Sequence, residues 1–381
     1  MENKQLNILN IILVPLALMK KTFKSYQTKI TNQRNSRRSL KSKTRFKNYR
    51  KRKNKSSLGV PKKEQSLATQ KYKHSKYNIA AVPSNFSILS NPEQVIKFIK
   101  NLKRHFVARR PVFVDMKRVK LIDYSSIVVL LSIMIRFKSE RIDFDGDFPT
   151  DKTANDIFME SGFFKILFQG RVANTDRYDI GGSNSIHTHA WKNVDPTIGP
   201  IIMKQVSLNI LGHAAVYKGL QRTLIELMQN SFNHAEPTKE GEKHWWLSVN
   251  IDKKNNKASF SFVDYGVGIF ESLNAKDNTS KWFNWQSLIA LLKPENNADI
   301  LKLILDGKLH KTVTGQDFRG KGLPGIKQAM DRNLISKLFI ISNDVFANVS
   351  ENIYLTLSNN FEGTFVYWEI NASTISNVWT L

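Results

Sequence analysis

The chain has 381 residues, of which 41% are hydrophobic, and it carries a formal net charge of +26 at pH 7 with no cysteine. This length corresponds to two or three domains. The lack of cysteine excludes a disulfide framework and any cysteine-based metal site, and it fits a reducing, cytoplasmic setting. The apolar stretch at residues 6–18 is shorter than the roughly 20 residues that span a bilayer, so no stable membrane insertion is expected.

The basic charge is concentrated in an N-terminal tail, residues 1–78, which is expected to be largely disordered. Residues 1–80 contain 22 of the 58 Lys and Arg residues but only two acidic residues. The aromatic residues among the basic ones are Phe23, Tyr26, Phe46 and Tyr49. Residues 20–55 are predicted to bind nucleic acid without sequence specificity, by neutralising phosphates and stacking on bases. A solvated tail with general affinity for polyanions is the alternative.

Residues 79–175 are predicted to form a small α/β domain. The segment PVFVDM, residues 111–116, is short, continuous and apolar, as a buried strand is. Residues 125–137 predict a buried helix, and residues 153–168 predict an amphipathic one. The alternation of strands and helices favours a parallel or mixed sheet with helices packed on it.

The segment VFVDMKRVKLIDYSSIVVLLSIM resembles the STAS domain of sulfate transporters and anti-sigma-factor antagonists. Asp123, Tyr124, Ser125 and Ser126 fall on the Asp-Ser-Ser-Gly tetrad of that family. Tyr124 replaces the first serine, and Ser126 replaces the glycine. The resemblance implies that Ser125 is the candidate phosphoacceptor. As a residue type, either Ser125 or Asp123 is equally typical of a plain helix N-cap.

A linker is predicted at residues 176–200, between two segments that are patterned like folded domains. Gly181, Gly182, Pro196 and Pro200 lie there among polar residues, and such residues interrupt regular structure. The second predicted domain therefore covers residues 201–381.

A helix is predicted from residue 223 to residue 235, just before Pro237. Glu226, Asn230 and His234 recur at every fourth position, which places them on one helical face. An Asn oxygen can ligate Mg²⁺, and a Glu can orient or deprotonate a water molecule or a hydroxyl group. A solvated helix face would show the same pattern.

Asp264 ends an apolar strand in the segment KASFSFVDYGVGIF and is followed by Gly266 and Gly268. A carboxylate at the end of a strand can accept a hydrogen bond from the exocyclic amine of adenine. The glycines allow the backbone to turn closely past a ligand. A hairpin turn is the alternative interpretation.

A glycine-rich segment, RGKGLPGIKQAM, opens another predicted helix at residues 319–330. Backbone N–H groups at a helix N-terminus bind phosphate, and basic side chains add positive charge. A dinucleotide-binding fingerprint has the same glycine spacing, but it follows a hydrophobic strand, whereas the preceding segment here, LHKTVTGQDFR, is polar. The residues expected near phosphate are Arg319, Gly320, Lys321, Gly322, Leu323 and Gly325.

A fourth element, Gly363 and Thr364 before the strand FVYWEI, completes an ordered series of motifs. The order of a Glu-x-x-x-Asn helix, an Asp-x-Gly-x-Gly turn, a glycine-rich segment and a Gly-Thr strand resembles the GHKL superfamily of gyrase, chaperone, histidine kinase and mismatch-repair ATPases. The resemblance implies an α/β sandwich at residues 201–381, with helices on one face of a mixed sheet and an ATP lid at residues 270–319.

The GHKL resemblance also implies ATP and Mg²⁺ as cofactors and a role for each motif residue. Glu226 would be the catalytic base and Asn230 the Mg²⁺ ligand. Asp264 would bind adenine with support from Thr364, and the glycine-rich segment would cover the phosphates. Anti-sigma-type serine kinases carry Glu-x-x-x-Asn-x-x-x-His, which His234 completes, and STAS proteins are their partners.

The main functional prediction is an ATP-dependent regulatory ATPase or protein kinase-like switch, in which the STAS-like domain transmits the signal. A regulatory protein and a second copy of the chain are the candidate protein partners. One alternative is a nucleic-acid-associated, ATP-gated module, for example in defence against foreign nucleic acid. Another is an ATP sensor that does not hydrolyse its ligand.

Overall fold

The structure, a computed structural model, describes residues 76–168, 185–190, 194, 196–214, 218–234, 245–272, 294–308 and 322–375. Contacts within the chain define two units, Met1–Lys73 and His74–Leu381, and every described residue belongs to the second unit. The basic tail with residues 20–55, and most of the predicted ATP lid, lie outside the described residues.

The unit is an α/β structure that contains both parallel and antiparallel sheets. Its strands are β1 Asn78–Ala81, β2 Asn85–Phe86, β3 Val112–Asp115, β4 Leu121–Ile122, β5 Phe144–Gly146, β6 Ser185–Ala190, β7 Trp245–Asp252, β8 Lys257–Asp264, β9 Lys337–Asn348 and β10 Ile353–Asn371. Its helices are α1 Pro92–Val107, α2 Tyr124–Ser139, α3 Lys152–Glu160, α4 Phe163–Phe168, α5 Ile198–Leu211, α6 Lys218–His234, α7 Asn297–Leu305, α8 Gly322–Asp331 and α9 Ala372–Ile375. None of these helices is long and apolar enough to cross a membrane.

Residues 76–168, the N-terminal layer, combine short parallel strands with helices. The strands pair in the order β1-β3-β5, and β2 pairs separately with β4. Helix α2 is apolar on almost every side, and it is accordingly buried on almost every side. Its N-cap is Asp123, whose carboxylate accepts the Ser126 N–H at 2.6 Å. The cap is therefore Asp123 and not Ser125.

The central sheet has the strand order β6-β7-β8-β10-β9. Each neighbouring pair in this order is antiparallel, so the predicted mixed sheet is wrong for the described strands. The physical reason is local, since β7 joins β8, and β9 joins β10, through short turns that only antiparallel strands can use.

The predicted linker at residues 176–200 is also partly wrong. Within it, β6 pairs with β7 at the edge of the central sheet, and α5 begins at Ile198. The sequence of β6, SIHTHA, is short and polar, and such an edge strand resembles a loop in composition. The strand becomes recognisable only because β7 supplies its backbone partners.

The central sheet is buried on both faces by different parts of the chain, because successive residues of a strand point to opposite sides. On the helix face, side chains such as Phe260, Phe262 and Trp368 pack against α5, α6, α7 and α8. On the opposite face, Trp246, Val263 and Phe365 share a core with α1 and α2 of the N-terminal layer. The sheet is therefore the middle of three layers.

Candidate functional site

Asp264 is the last residue of β8 and joins three elements on the helix face. Its register partners are Thr364 in β10 and Trp245 in β7. Its Oδ1 accepts the Gly266 N–H at 2.9 Å, and its Oδ2 lies 3.3 Å from the Ser231 hydroxyl of α6. A strand, a turn and a helix thus meet at one carboxyl group.

Burial raises the pKa of Asp264 from 3.8 to about 6, because the surrounding protein desolvates the charged form. Hydrogen bonds from Gly266, Ser231 and the Thr364 backbone oppose this effect by favouring the ionised form. The carboxyl group is therefore mostly ionised at pH 7, although its charge costs free energy. Such a group is a candidate for ligand binding, because a donor on a ligand offsets that cost.

The turn after β8 is fixed by two residues of β9, Ser342 and Asn343. The Ser342 hydroxyl accepts the Ile269 N–H at 2.9 Å. Asn343 accepts the Phe270 N–H through Oδ1 at 3.3 Å and donates to the Val267 carbonyl through Nδ2 at 3.0 Å. The turn is therefore held by side chains of a strand that lies 73 to 76 residues further along the chain.

Two glycines permit close approaches around this turn. Gly268 has a φ of 84°, and a Cβ placed there would lie 2.3 Å from Asn343 Oδ1. Gly363 has a φ of 113°, and a Cβ placed there would lie 2.0 Å from the carbonyl oxygen of Asp264. Both glycines occupy backbone conformations that other residues rarely adopt, and the space for a side chain is already filled.

Thr364 lies between Asp264 and Ser342 on neighbouring strands. Of these three polar residues, the sequence predicted Asp264 and Thr364 as site residues. Thr364 is buried and is the register partner of both Asp264 and Ser342. Its Oγ1 lies 3.3 Å from Ser342 Oγ, and that hydroxyl also donates to the Gly363 carbonyl at 2.9 Å. The Asp-x-Gly-x-Gly turn and the Gly-Thr pair therefore form one site, although about 100 residues separate them.

Helix α6 spans nearly all of the helix predicted at residues 223–235. It contacts the site through Ser231, which shares its proton between Asp264 Oδ2 and the Leu227 carbonyl. Glu226 is half-buried, and Asn230 is exposed beside Ser231. The side chain of His234, the last residue of the helix, lies outside the described part of the structure.

Helix α8 begins at Gly322, as the glycine-rich segment predicts, and packs against α6. Leu323 and Gly325 are half-buried in its first turn. Among the described residues, a Cβ placed at Gly325 would meet no atom within 4 Å. Arg319, Gly320 and Lys321 lie outside the described residues.

Ser125, the candidate phosphoacceptor, lies at the boundary between α2 and the central sheet. It is 2% exposed, and its Oγ is 3.0 Å from the Ser261 hydroxyl of β8. A hydroxyl in this position is shielded from another enzyme. Phosphorylation of Ser125 would therefore require α2 to move away from the sheet.

Ser231, Ser342 and Asn343 are site residues that were not predicted from the sequence. A signal for the last two was present, because a polar Ser-Asn-Asp run interrupts the apolar strand KLFIISNDVFAN. Ser231 carried no such signal, since serines in helices commonly bond to the preceding turn.

The chain matches no protein-family model, and no curated protein is similar enough to be identified as a relative. Within the described ranges, no group of three or more His, Asp or Glu side chains is arranged to hold a metal ion. Any functional assignment therefore depends on the geometry around Asp264 and on the resemblance of the motifs.

Proposed function

We propose that the chain binds ATP with Mg²⁺ at the site around Asp264 and acts as a regulatory ATPase or protein kinase-like switch. In this proposal, residues 201–381 are a GHKL-like nucleotide domain, and residues 79–175 are a STAS-like domain that transmits the signal. The described residues of both segments belong to one compact unit, His74–Leu381, which suits a switch.

One observation carries the proposal, namely the buried carboxyl group of Asp264 with its partners from three separate motifs. Ser231 of the Glu-x-x-x-Asn helix, Gly266 of the turn and the backbone of Thr364 all favour its ionised form. If the Asp-x-Gly-x-Gly segment were only a hairpin turn, its aspartate would be expected to be exposed to solvent. Here the ionised form is maintained in a desolvated position, which is typical of a group that recognises a ligand.

The exocyclic amine of adenine supplies the hydrogen-bond donor that this carboxylate would accept. A guanine base presents a carbonyl oxygen at the corresponding place and would meet the carboxylate with two acceptors facing each other. The site is therefore expected to select ATP over GTP.

Magnesium fits the donors that α6 offers. Mg²⁺ prefers oxygen ligands, keeps several waters and is commonly held by few protein groups together with substrate phosphates. The exposed amide of Asn230 would be one such ligand, and the ion would supply charge neutralisation for the phosphates. Glu226, four residues earlier on the same helix, would orient or deprotonate the attacking water or hydroxyl.

The proposal is tested by the Asp264→Asn variant. The asparagine Oδ1 can still accept the Gly266 N–H, but the neutral amide loses the charge that receives the adenine amine. We expect the affinity for a non-hydrolysable ATP analogue to fall about 100-fold, the upper range for a hydrogen bond to a charged group. Calorimetric titration with Mg²⁺ present measures this change.

Asp252→Asn is the matched control, because Asp252 lies at the opposite end of the β7–β8 hairpin. This variant should bind the analogue as the wild type does. An Asp264→Asn protein with wild-type affinity would refute the assignment of adenine binding to this carboxylate.

A further inference from the structure

Tyr265 follows Asp264 in the chain and points to the opposite face of the sheet. Its hydroxyl lies 2.6 Å from the Ser132 hydroxyl and 3.4 Å from the Val129 carbonyl, both in α2. The phenol ring also adjoins Phe361 of β10, at 6.2 Å between ring centroids. Asp264 thus contacts α6 on the helix face, whereas its neighbour Tyr265 contacts α2 of the N-terminal layer.

Lys103 of α1 makes a second link between the N-terminal layer and the site. Its ammonium lies 4.6 Å from the centroid of the Tyr265 ring and 2.9 Å from Glu362 Oε2. The Lys103 side chain is only 14% exposed, whereas that of Glu362 is 69% exposed. Because a buried ammonium requires partners, Lys103 fixes both groups that it contacts.

Glu362 immediately precedes Gly363 and Thr364, in an irregular part of β10. The pairing of β10 with β9 shifts register between Phe361 and Thr364. Four residues before Glu362 in the same strand, the Ser358 N–H donates to Glu93 of α1 at 2.6 Å. Helix α1 therefore holds β10 where its own ladder with β9 is interrupted, so the conformation there depends on contacts outside the sheet.

We propose that the N-terminal layer sets the nucleotide affinity of the Asp264 site through Tyr265 and Glu362, with Lys103 and Ser132 as positioning residues. This inference rests on the proposed function and adds its regulation. The two chain segments that would contact adenine, the turn after β8 and the Gly-Thr pair, are each held from behind by α1 or α2. A partner that draws these helices away from the sheet would lower the affinity, and by linkage a bound nucleotide tightens their attachment.

The test uses Tyr265→Phe, Ser132→Ala and the double variant of the full chain, titrated with a non-hydrolysable ATP analogue. Loss of one hydrogen bond should weaken binding about 3- to 10-fold. The double variant should be no weaker than Tyr265→Phe alone, because removal of the Tyr265 hydroxyl already eliminates its contact with Ser132. Tyr265→Phe keeps the ring in place, so the outcome does not depend on a variant that fails to fold.

Lys103→Met should weaken binding to a similar extent, and Lys103→Arg should restore most of the affinity. Lys76→Met is the matched control, because Lys76 also combines an ion pair, with Asp143 at 3.0 Å, and a position over an aromatic ring, 4.9 Å from the centroid of Tyr77. Lys76 contacts neither Tyr265 nor β10 through these interactions. Its loss should leave the affinity unchanged.

Hydrogen–deuterium exchange gives a readout that a merely structural role would not change. The analogue should slow exchange in residues 124–139 of the wild type and should slow it much less in Tyr265→Phe. If the variants bind like the wild type and the analogue leaves exchange in α2 unchanged, the inference is wrong while the proposed function stands. If the wild type and Asp264→Asn are equally unable to bind the analogue, both are overturned.

Discussion

The β7–β8 hairpin has an aspartate at each end, and the two occupy opposite environments. Asp252 closes the turn to β8, where its carboxylate accepts two bonds from Asn255, from the N–H at 3.2 Å and from Nδ2 at 2.7 Å. The side-chain bond from Asn255 is the main reason that the pKa of Asp252 is lowered. Ionisation of Asp252 therefore stabilises the folded chain.

Asp264, at the other end, also accepts a backbone N–H two residues later, but burial raises its pKa to about 6. Its ionised form therefore destabilises the folded chain. Asp252 thus closes a turn at one end of the hairpin, whereas Asp264 carries a charge that lowers the stability of the fold at the other end. A charge kept at a cost to stability is expected where binding or catalysis requires it.

The largest expected effect concerns Glu226 of α6, the proposed catalytic base. Glu226→Ala should lower ATP hydrolysis or phosphotransfer by about 10²- to 10⁴-fold and leave ATP binding intact, because a general base acts mainly in the transition state. Asp252→Ala removes a carboxylate from the other end and should leave the rate unchanged. Turnover at the wild-type rate in Glu226→Ala would make Glu226 a structural residue.

The second prediction compares the stability of the two aspartate variants. Asp264 has a pKa of about 6 in the folded chain against 3.8 as its ordinary value, so folding favours its protonated form. This group stabilises the fold most below its ordinary pKa, and that contribution is lost as the pH rises through about 6. Asp264→Asn should therefore raise the free energy of unfolding at pH 7 by about 3 kcal/mol.

Asp252→Asn should have the opposite sign and lower that free energy by less than about 1 kcal/mol, since it removes exposed hydrogen bonds. Urea unfolding of both variants at pH 7 measures the two values. A loss of stability in Asp264→Asn would mean that the charge has a structural role, and the contrast between the ends would disappear.

The smallest effect is the pH dependence of binding. The ionised fraction of Asp264 falls from about one half at pH 6 to about one eleventh at pH 5, so nucleotide affinity should fall about fivefold over this interval. Adenosine is the better ligand for this measurement, because it has no phosphate group that titrates. Asp252→Asn should show the same profile, and a flat wild-type profile would exclude Asp264 as the acceptor.

Several elements were predictable because their signals are local. The strand that ends at Asp264, the helix around Glu226 and the helix that begins at Gly322 follow from apolar periodicity and from glycine positions. The edge strand β6 was not predictable, because Ile186 is its only large apolar residue and its strand structure depends on pairing with β7. Helices were predicted on only one face of the central sheet, but the N-terminal layer covers its other face. The sequence carries a signal for this second layer, since β8 and β10 have apolar residues on both sides.

By itself, the sequence determined which polar and glycine residues follow one another in the chain and which segments carry them. The tertiary structure alone decided that Ser231, Ser342 and Asn343 surround the turn, that Ser125 is buried on Ser261, and that Tyr265 contacts Ser132. The physical reason is that ionisation and accessibility depend on desolvation by segments that are distant in the chain. The charge of Asp264 is governed by α6 and β10, which no local pattern around residue 264 records.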